Sequence, residues 1–364
     1  MGSILKFEQA IIDRGQESLA LKLSYLPCFN ELKRDSISVI DAGLSQPCFQ
    51  VNYENKAYFA KYLIADSIEP FASELAARYG ISPKLIYVEQ NWLITEFIAG
   101  QGLDNGYQSE AEKLAITIAL LARCHSISLP STISNSENSH SNHQNVVQTI
   151  SPTDEQRSKQ FYLSELDISA TIQQLLQNIA LSFAQQQALK SLSNVLQQNL
   201  AKANKIVQHT KQVFCHGDAN FSNVMALKND TKNTENLYKI IDFECACIAP
   251  VAYDLAMLMA VNGIDSSKVE TITSLYQQAL ISLNQQKNST GIVDNLTVNT
   301  QGNTATSTIL VTCYLDFSLL INSLWYLWQY QGRKLIKYKV LSTKQLILLA
   351  KRHSQANRVL DEMR

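Results

Sequence analysis

The sequence predicts an α+β chain of two lobes, a small antiparallel sheet lobe followed by a larger helical lobe, and three observations carry this. Apolar residues over the first ~100 positions recur mostly at the short period of strands, and beyond Gly100 at the longer period of helices. The chain has 364 residues, more than the roughly 100–200 of one domain. Its hydrophobic content of 46% is enough to bury a sizeable core. The expected division is 1–99 and 100–364.

Element by element, Ile11, Ile12, Leu19, Leu21 and Leu23 have helical spacing and predict a helix over 7–26. β-like runs follow at 36–40, 48–53 and 56–63, with Glu54-Asn55 between the last two as a tight hairpin turn, because Asn tolerates a left-handed backbone. A helix over 68–79 and strands near 85–88 and 92–97 complete the first lobe. Helices are expected at 110–125, 160–177, 181–208, 267–283, 309–330 and 344–363, with strands at 213–215, 224–227 and 238–243. Two segments, about 131–148 and 285–307, are too polar to pack and read as surface insertions. His140 and His143 lie in the first without the Cys or carboxylate partners that a metal needs.

Composition excludes several classes. Lys and Arg (31) balance Asp and Glu (32), so the overall basic field that attracts nucleic acid is missing, and no nucleic-acid partner is expected. Seven scattered cysteines form no C-x-x-C pair, which predicts a reducing, cytoplasmic setting; Cys245 and Cys247 read as small buried hydrophobes. Glu8, Asp13 and Arg14 interrupt the stretch where a secretory signal would run. The apolar run 309–328 contains Asp316, so it reads as a buried core helix, and no membrane partner is expected. The sequence specifies neither an oligomeric state nor a particular acceptor.

The chemistry concentrates in Val213-Phe-Cys-His-Gly-Asp218-Ala-Asn-Phe-Ser-Asn223-Val-Met and, 24 positions after Asp218, in Ile240-Ile-Asp242-Phe-Glu244. Phosphoryl transfer needs a carboxylate to take the proton of the attacking hydroxyl, and oxygen ligands to hold Mg²⁺ against phosphates. The runs 224–227 and 238–242 flank a polar turn and should pair as a hairpin, which returns Asp242 to the neighbourhood of Asn223.

H-G-D-x-x-x-x-N with a downstream I-D-F-E resembles the aminoglycoside phosphotransferase/choline kinase family, whose fold is protein-kinase-like. Val251-Ala-Tyr-Asp254-Leu-Ala adds to the likeness. The resemblance implies a kinase that uses ATP and Mg²⁺ on a small-molecule acceptor. In it Asp218 is the catalytic base, Asn223 and Asp242 bind the metal, and His216 supports the loop.

Upstream, Lys61 lies on an expected strand where a kinase-like fold places its phosphate lysine, and Glu74 on the next helix is its expected partner. Ser45 and Gln46 lie in the expected phosphate-covering loop. Glu96 and Ile98, in Thr95-Glu96-Phe97-Ile98, resemble the hinge that reads adenine through backbone groups. Only eleven residues separate Asp242 from Asp254, too few for the activation segment of a protein kinase. I-D-F-E is closer to choline, ethanolamine and thiamine kinases than to antibiotic kinases. Trp325 and Trp328 on a late helix, with Asp316 and Glu244 adding charge, are then candidates for holding a cationic alcohol.

Overall fold

The computed structural model describes residues 15–40, 46–89, 91–129, 163–207, 210–228, 237–290 and 308–363. A helix α1 over 15–24 precedes an antiparallel sheet of β1 (Ile37–Ile40), β2 (Cys48–Tyr53), β3 (Lys56–Tyr62), β4 (Leu85–Glu89) and β5 (Trp92–Glu96). The strand order is β1-β2-β3-β5-β4. The expected hairpin forms at Glu54 and Asn55, whose φ angles of 48° and 62° are both left-handed, and it pairs Tyr53 with Lys56.

Strand alternation sorts the two faces of this sheet. Phe49, Val51, Ala60, Trp92 and Ile94 pack with Leu23, Leu26 and Phe29 of the α1 segment into one core. Lys61, next to Ala60, therefore points the opposite way, toward the helical lobe. Helix α2 (Glu69–Arg78) lies between β3 and β4 in sequence, and its Ala72 and Ala76 join the core of the helical lobe.

A three-stranded sheet, β6 (Gly100–Gly102), β8 (Val224–Leu227) and β9 (Tyr238–Ile240) in the order β6-β8-β9, and a pair, β7 (Gln212–Cys215) with β10 (Cys247–Pro250), frame the junction. Around them stand α3 (Glu110–His125), α4 (Ile168–Asn178), α5 (Phe183–Ile206), α6 (Val251–Val261), α7 (Val269–Thr290), α8 (Thr308–Arg333), α9 (Ile336–Ala350) and α10 (Ser354–Met363). Ser109 opens α3 with a reciprocal cap, its hydroxyl accepting from the Glu112 N–H while Glu112 accepts from the Ser109 N–H. Helix α8 is long and apolar enough to cross a membrane, yet 67% of its most apolar window is buried, against α6, α9, α5 and α4.

Three expectations change. The helix expected over 344–363 is two helices, because the chain turns at Lys351, Arg352 and His353. α4 starts at Ile168, with the Asp167 side chain capping the Ala170 N–H, rather than at Gln160. Cys245 is exposed rather than buried, and Cys247 half-buried. Of the polar segments, the first, with His140 and His143, lies outside the described residues; the second is helical as far as Thr290 and then also lies outside them.

A left-handed backbone costs a residue other than Gly, Asn or Asp about 1–2 kcal/mol, and Glu54 bears that cost at a hairpin position that Asn or Gly favours. Glu54→Asn is therefore expected to raise stability by about 0.5–1 kcal/mol in a urea titration with an unchanged m-value; an unchanged midpoint would remove the turn from the stability argument.

Candidate active site

The loop after β7 carries His216, Gly217 and Asp218, and its backbone is pinned from both ends of α6. Asp254, fully buried in the first turn of that helix, accepts hydrogen bonds from the N–H groups of His216 and Gly217, each at 2.9 Å. Past the other end, Asn262 accepts from the Phe221 N–H at 2.9 Å and donates to the Ala219 carbonyl at 3.1 Å. His125 Nε2 also meets Asp254, at 3.0 Å, and its Nδ1 meets the Tyr276 hydroxyl at 3.0 Å. Burial alone would raise the Asp254 carboxyl, but hydrogen bonds from His125 and the Gly217 N–H hold it below its ordinary value.

Gly217 has φ +79°, and a Cβ there would stand 2.2 Å from the carbonyl oxygen of Cys245, so only glycine fits. His216 is fully buried, and burial lowers its pKa, which keeps the ring neutral. A neutral ring suits both of its contacts: Nε2–H donates to the Ile241 carbonyl at 3.0 Å, and Nδ1 accepts from the Asp218 N–H at 3.2 Å. His216 thus ties the loop bearing Asp218 to the strand end bearing Asp242.

The expected hairpin forms: β8 and β9 pair with Val224 opposite Ile240, and the Ile241 N–H donates to the Asn223 carbonyl at 2.9 Å. Asn223 Nδ2 donates to the backbone carbonyl of Asp218 at 3.0 Å and to its carboxylate at 3.4 Å, which leaves Asn223 Oδ1 with ligand capacity. Asp242 has a left-handed φ of 68°, a backbone state that residues at functional sites adopt more often than others.

Lys61, 4% exposed, joins the lobes. Its Nζ lies 2.6 Å from Asp242, 2.8 Å from Glu69 and 3.2 Å from Glu244. Burial alone would lower the ammonium pKa, but the carboxylates of Asp242, Glu69 and Glu244 outweigh it and hold the lysine charged. One carboxylate oxygen from each of Glu69, Asp242 and Glu244 lies within 4.8 Å of the other two. Hard oxygen donors at this density, with Asn223 beside them, fit Mg²⁺.

Asp218 lies in the same field: burial first, then the charges of Asp242 and Glu244, push its carboxyl up to about 7 from the ordinary 3.8. Tyr326 on α8 is close enough to Asp218 for that charge to add to burial in raising its phenol to about 12. Trp325 and Tyr338 surround Tyr326, with ring centroids at 5.3 and 6.4 Å from it.

Several sequence-predicted residues fall elsewhere. Glu74 is not the partner of Lys61; it pairs with Arg78 at 2.7 Å on the outer side of α2. The partner is Glu69, which shares a face with Ala72 and Ala76, three and seven residues on, and all three are buried. That periodicity was the available signal, since position 74 is off the buried face. Glu244 belongs with Lys61 rather than with the acceptor, and also accepts from Gln46 Nε2 at 3.3 Å across the cleft. Asp316 is no acceptor residue, because Arg352 at 2.5 Å and His353 at 2.8 Å, in the turn between α9 and α10, hold its carboxylate. Trp325 joins the aromatic cluster, whereas Trp328 is 39% exposed and has no ring contact with it among the described residues. At the hinge, the N–H of Glu96 is spent on Lys84 and that of Phe97 on Ala57, leaving the Ile98 N–H without a backbone acceptor among the described residues. Ser45 lies outside the described residues.

A sheet lobe presenting a charged lysine, a loop presenting a carboxylate, and a hairpin returning a second carboxylate define a small-molecule phosphotransferase of the protein-kinase-like fold. A sequence model described as choline/ethanolamine kinase matches residues 57–341. The chain belongs to the choline/ethanolamine kinase family. Among solved structures it is similar to the choline kinase LicA from Streptococcus pneumoniae, with TM-score 0.60 and 17% identity over 93% of this chain and 99% of that one. It is also similar to a Plasmodium vivax ethanolamine kinase, at TM-score 0.56 and 16% identity over 88% and 85%. Spectinomycin phosphotransferase APH(9)-Ia, in complex with ADP and spectinomycin, follows at 0.52 and 15% over 95% and 97%. No curated protein sequence matches the chain.

Two outcomes test this geometry. Glu69→Gln leaves part of the Lys61 charge uncompensated in a dry site and is expected to lower kcat/KM for the nucleotide about tenfold or more, with Glu74→Gln within about twofold of wild type; equal effects would sink the assignment. The second outcome concerns pH. The folded protein holds a proton on Asp218 that the unfolded chain releases, so this carboxyl stabilises the ligand-free fold below about pH 4 and loses that contribution as pH rises to about 7. As a general base Asp218 would accept a proton only when ionised, so kcat/KM for the acceptor should climb with pH and level off above about pH 7. A flat profile between about pH 5 and pH 8 would show that Asp218 does not titrate in that range.

Proposed function

We propose that this kinase uses ATP and Mg²⁺ to phosphorylate a small cationic alcohol of the choline, ethanolamine or thiamine kind. The observation that carries the reading is Tyr326, packed edge-on against Trp325 and close enough to Asp218 to feel its charge: a cation held on these half-buried π faces, worth up to about 2 kcal/mol when desolvated, brings its hydroxyl to the base. Nucleotide binding is supported by LicA, which has a structure in complex with AMP, and by the ADP complex of spectinomycin phosphotransferase. A cytoplasmic setting suits the seven unpaired cysteines.

In this mechanism Asp218 accepts the hydroxyl proton as the acceptor oxygen forms its bond to the γ-phosphorus, and the bond from that phosphorus to the β–γ bridging oxygen breaks to release ADP. Lys61 offers its charge to the phosphates, while Glu69 keeps it extended. The Ile98 N–H is the hinge donor for adenine. Asp242, Asn223 and Glu244 would hold Mg²⁺, which when bound neutralises charge on the β- and γ-phosphate oxygens. His216 orients the loop and touches no substrate.

A coupled ADP-release screen over choline, ethanolamine, thiamine, homoserine, sugars and aminoglycosides tests the acceptor. Turnover is expected on a cationic alcohol, and Asp218→Asn should lower kcat about 10²–10⁴-fold while ATP still raises Tm. Turnover on aminoglycosides alone would overturn the acceptor class; near-normal kcat in Asp218→Asn would overturn the base.

A further inference from the structure

Helix α9 carries a surface that the catalytic site does not use. Between Phe317 and Leu360 the sequence holds eight Lys or Arg and no Asp or Glu, in a chain of net charge −1. The inner side of α9 is core, with Tyr338, Ser342, Gln345, Leu346 and Leu349 buried. Its outer side is unusual. Ile336, Val340 and Ile347 recur at helical spacing along one stripe and are 66%, 47% and 46% exposed. Leu335, 44% exposed, opens the same surface at the turn from α8. Lys337, Lys344 and Lys351 repeat every seven residues, so they line one edge of that stripe, and all three are exposed.

Single exposed aliphatics are ordinary on any protein. Here they are aligned and flanked by like charges; no acid on the same helix pairs those charges, and Asp265, from the α6–α7 connection, faces the last of them, Lys351. An aliphatic line edged by lysines, on a helix lying flat on the surface, is the chemistry of an interfacial helix: the aliphatics enter the acyl boundary while the lysine stems reach back to headgroup phosphates. A nucleic-acid backbone would be met by the lysines but not by the aliphatics. A second copy of this face would bring like charges together. The charge therefore selects an anionic lipid surface.

We infer that the outer face of α9 docks peripherally on anionic phospholipid membranes. The expectation of no membrane partner rested on the criteria for a spanning helix, which a helix lying in the interface does not meet. On its inner side the same helix presents Tyr338 to Trp325 and Tyr326, so the docked face backs the aromatic cluster of the site.

The test is sedimentation of the full chain with vesicles of phosphatidylcholine alone and of phosphatidylcholine mixed with phosphatidylglycerol. Binding is expected to the mixed vesicles only, weakening as salt rises. Lys344→Glu/Lys351→Glu and Val340→Ser/Ile347→Ser should each weaken it by about tenfold or more, with Tm and its rise with magnesium–ATP unchanged. Thr343→Glu, at an exposed polar position on the same stripe, should also lose binding and does not disturb apolar packing. Absence of binding to mixed vesicles, or equal binding by all variants, would overturn the proposal. So would loss confined to the lysine variant, which marks simple polyanion attraction, or a dimer that Val340→Ser/Ile347→Ser converts to monomer, which assigns the face to a second copy.

Discussion

The interaction on which the rest depends is the meeting of Lys61 with Glu69, Asp242 and Glu244. A lysine this deeply buried is stable as a cation only if opposite charges surround it, and the three carboxylates come from α2, the end of the β8–β9 hairpin and the residues just after it. Because Lys61 itself comes from β3, satisfying one ammonium fixes the sheet, α2 and the Asp242–Glu244 segment relative to one another. The cluster also holds more carboxylates than one ammonium pairs, which suits a divalent cation beside the lysine.

The loop that carries Asp218 is fixed by a different means. Its geometry rests on neutral and charge-assisted hydrogen bonds to backbone groups, from Asp254 and Asn262 at opposite ends of a helix whose core residues are nearly all fully buried. A loop anchored at both ends of one rigid element cannot tilt without breaking buried bonds on one side, so the position of Asp218 is inherited from α6. Asp254 is fully buried, yet it orders the two successive N–H groups that precede Asp218.

Much of this was legible in the sequence where a single local rule decides. Asn55 announced a left-handed turn, and the polar stretch between two β-like runs announced the hairpin that brings Asp242 to Asn223. The choice between Glu69 and Glu74 was legible too, but only when the helix face was followed through Ala72 and Ala76 rather than read from proximity in sequence. What the sequence did not reveal was decided by tertiary partners. The run over 344–363 has no Pro or Gly to break it; the chain turns there where Arg352 and His353 meet the buried carboxylate of Asp316, two elements away. The same long-range contact removed Asp316 from the acceptor site, and no periodicity within α8 foretells it.

Helix α2 shows how the two anchoring schemes combine. At its start, Glu69 is tied through Lys61 to Asp242. Past its end, Arg123 of α3 donates to the Tyr79 carbonyl at 2.9 Å, and Lys239 of β9 to the Gly80 carbonyl at 2.5 Å. Two cations on the carbonyls just past the helix end also oppose the negative end of its dipole. The Ile240 N–H adds a bond to the Ile81 carbonyl at 3.0 Å. Both ends of α2 are thus held by the short stretch from Lys239 to Asp242, so a swing of the helix that separated Glu69 from Lys61 would have to break contacts at both ends together. The lysine–glutamate pair is therefore built in by the fold, consistent with a chain in which only eleven residues follow Asp242 before Asp254 and leave no room for a segment that switches it.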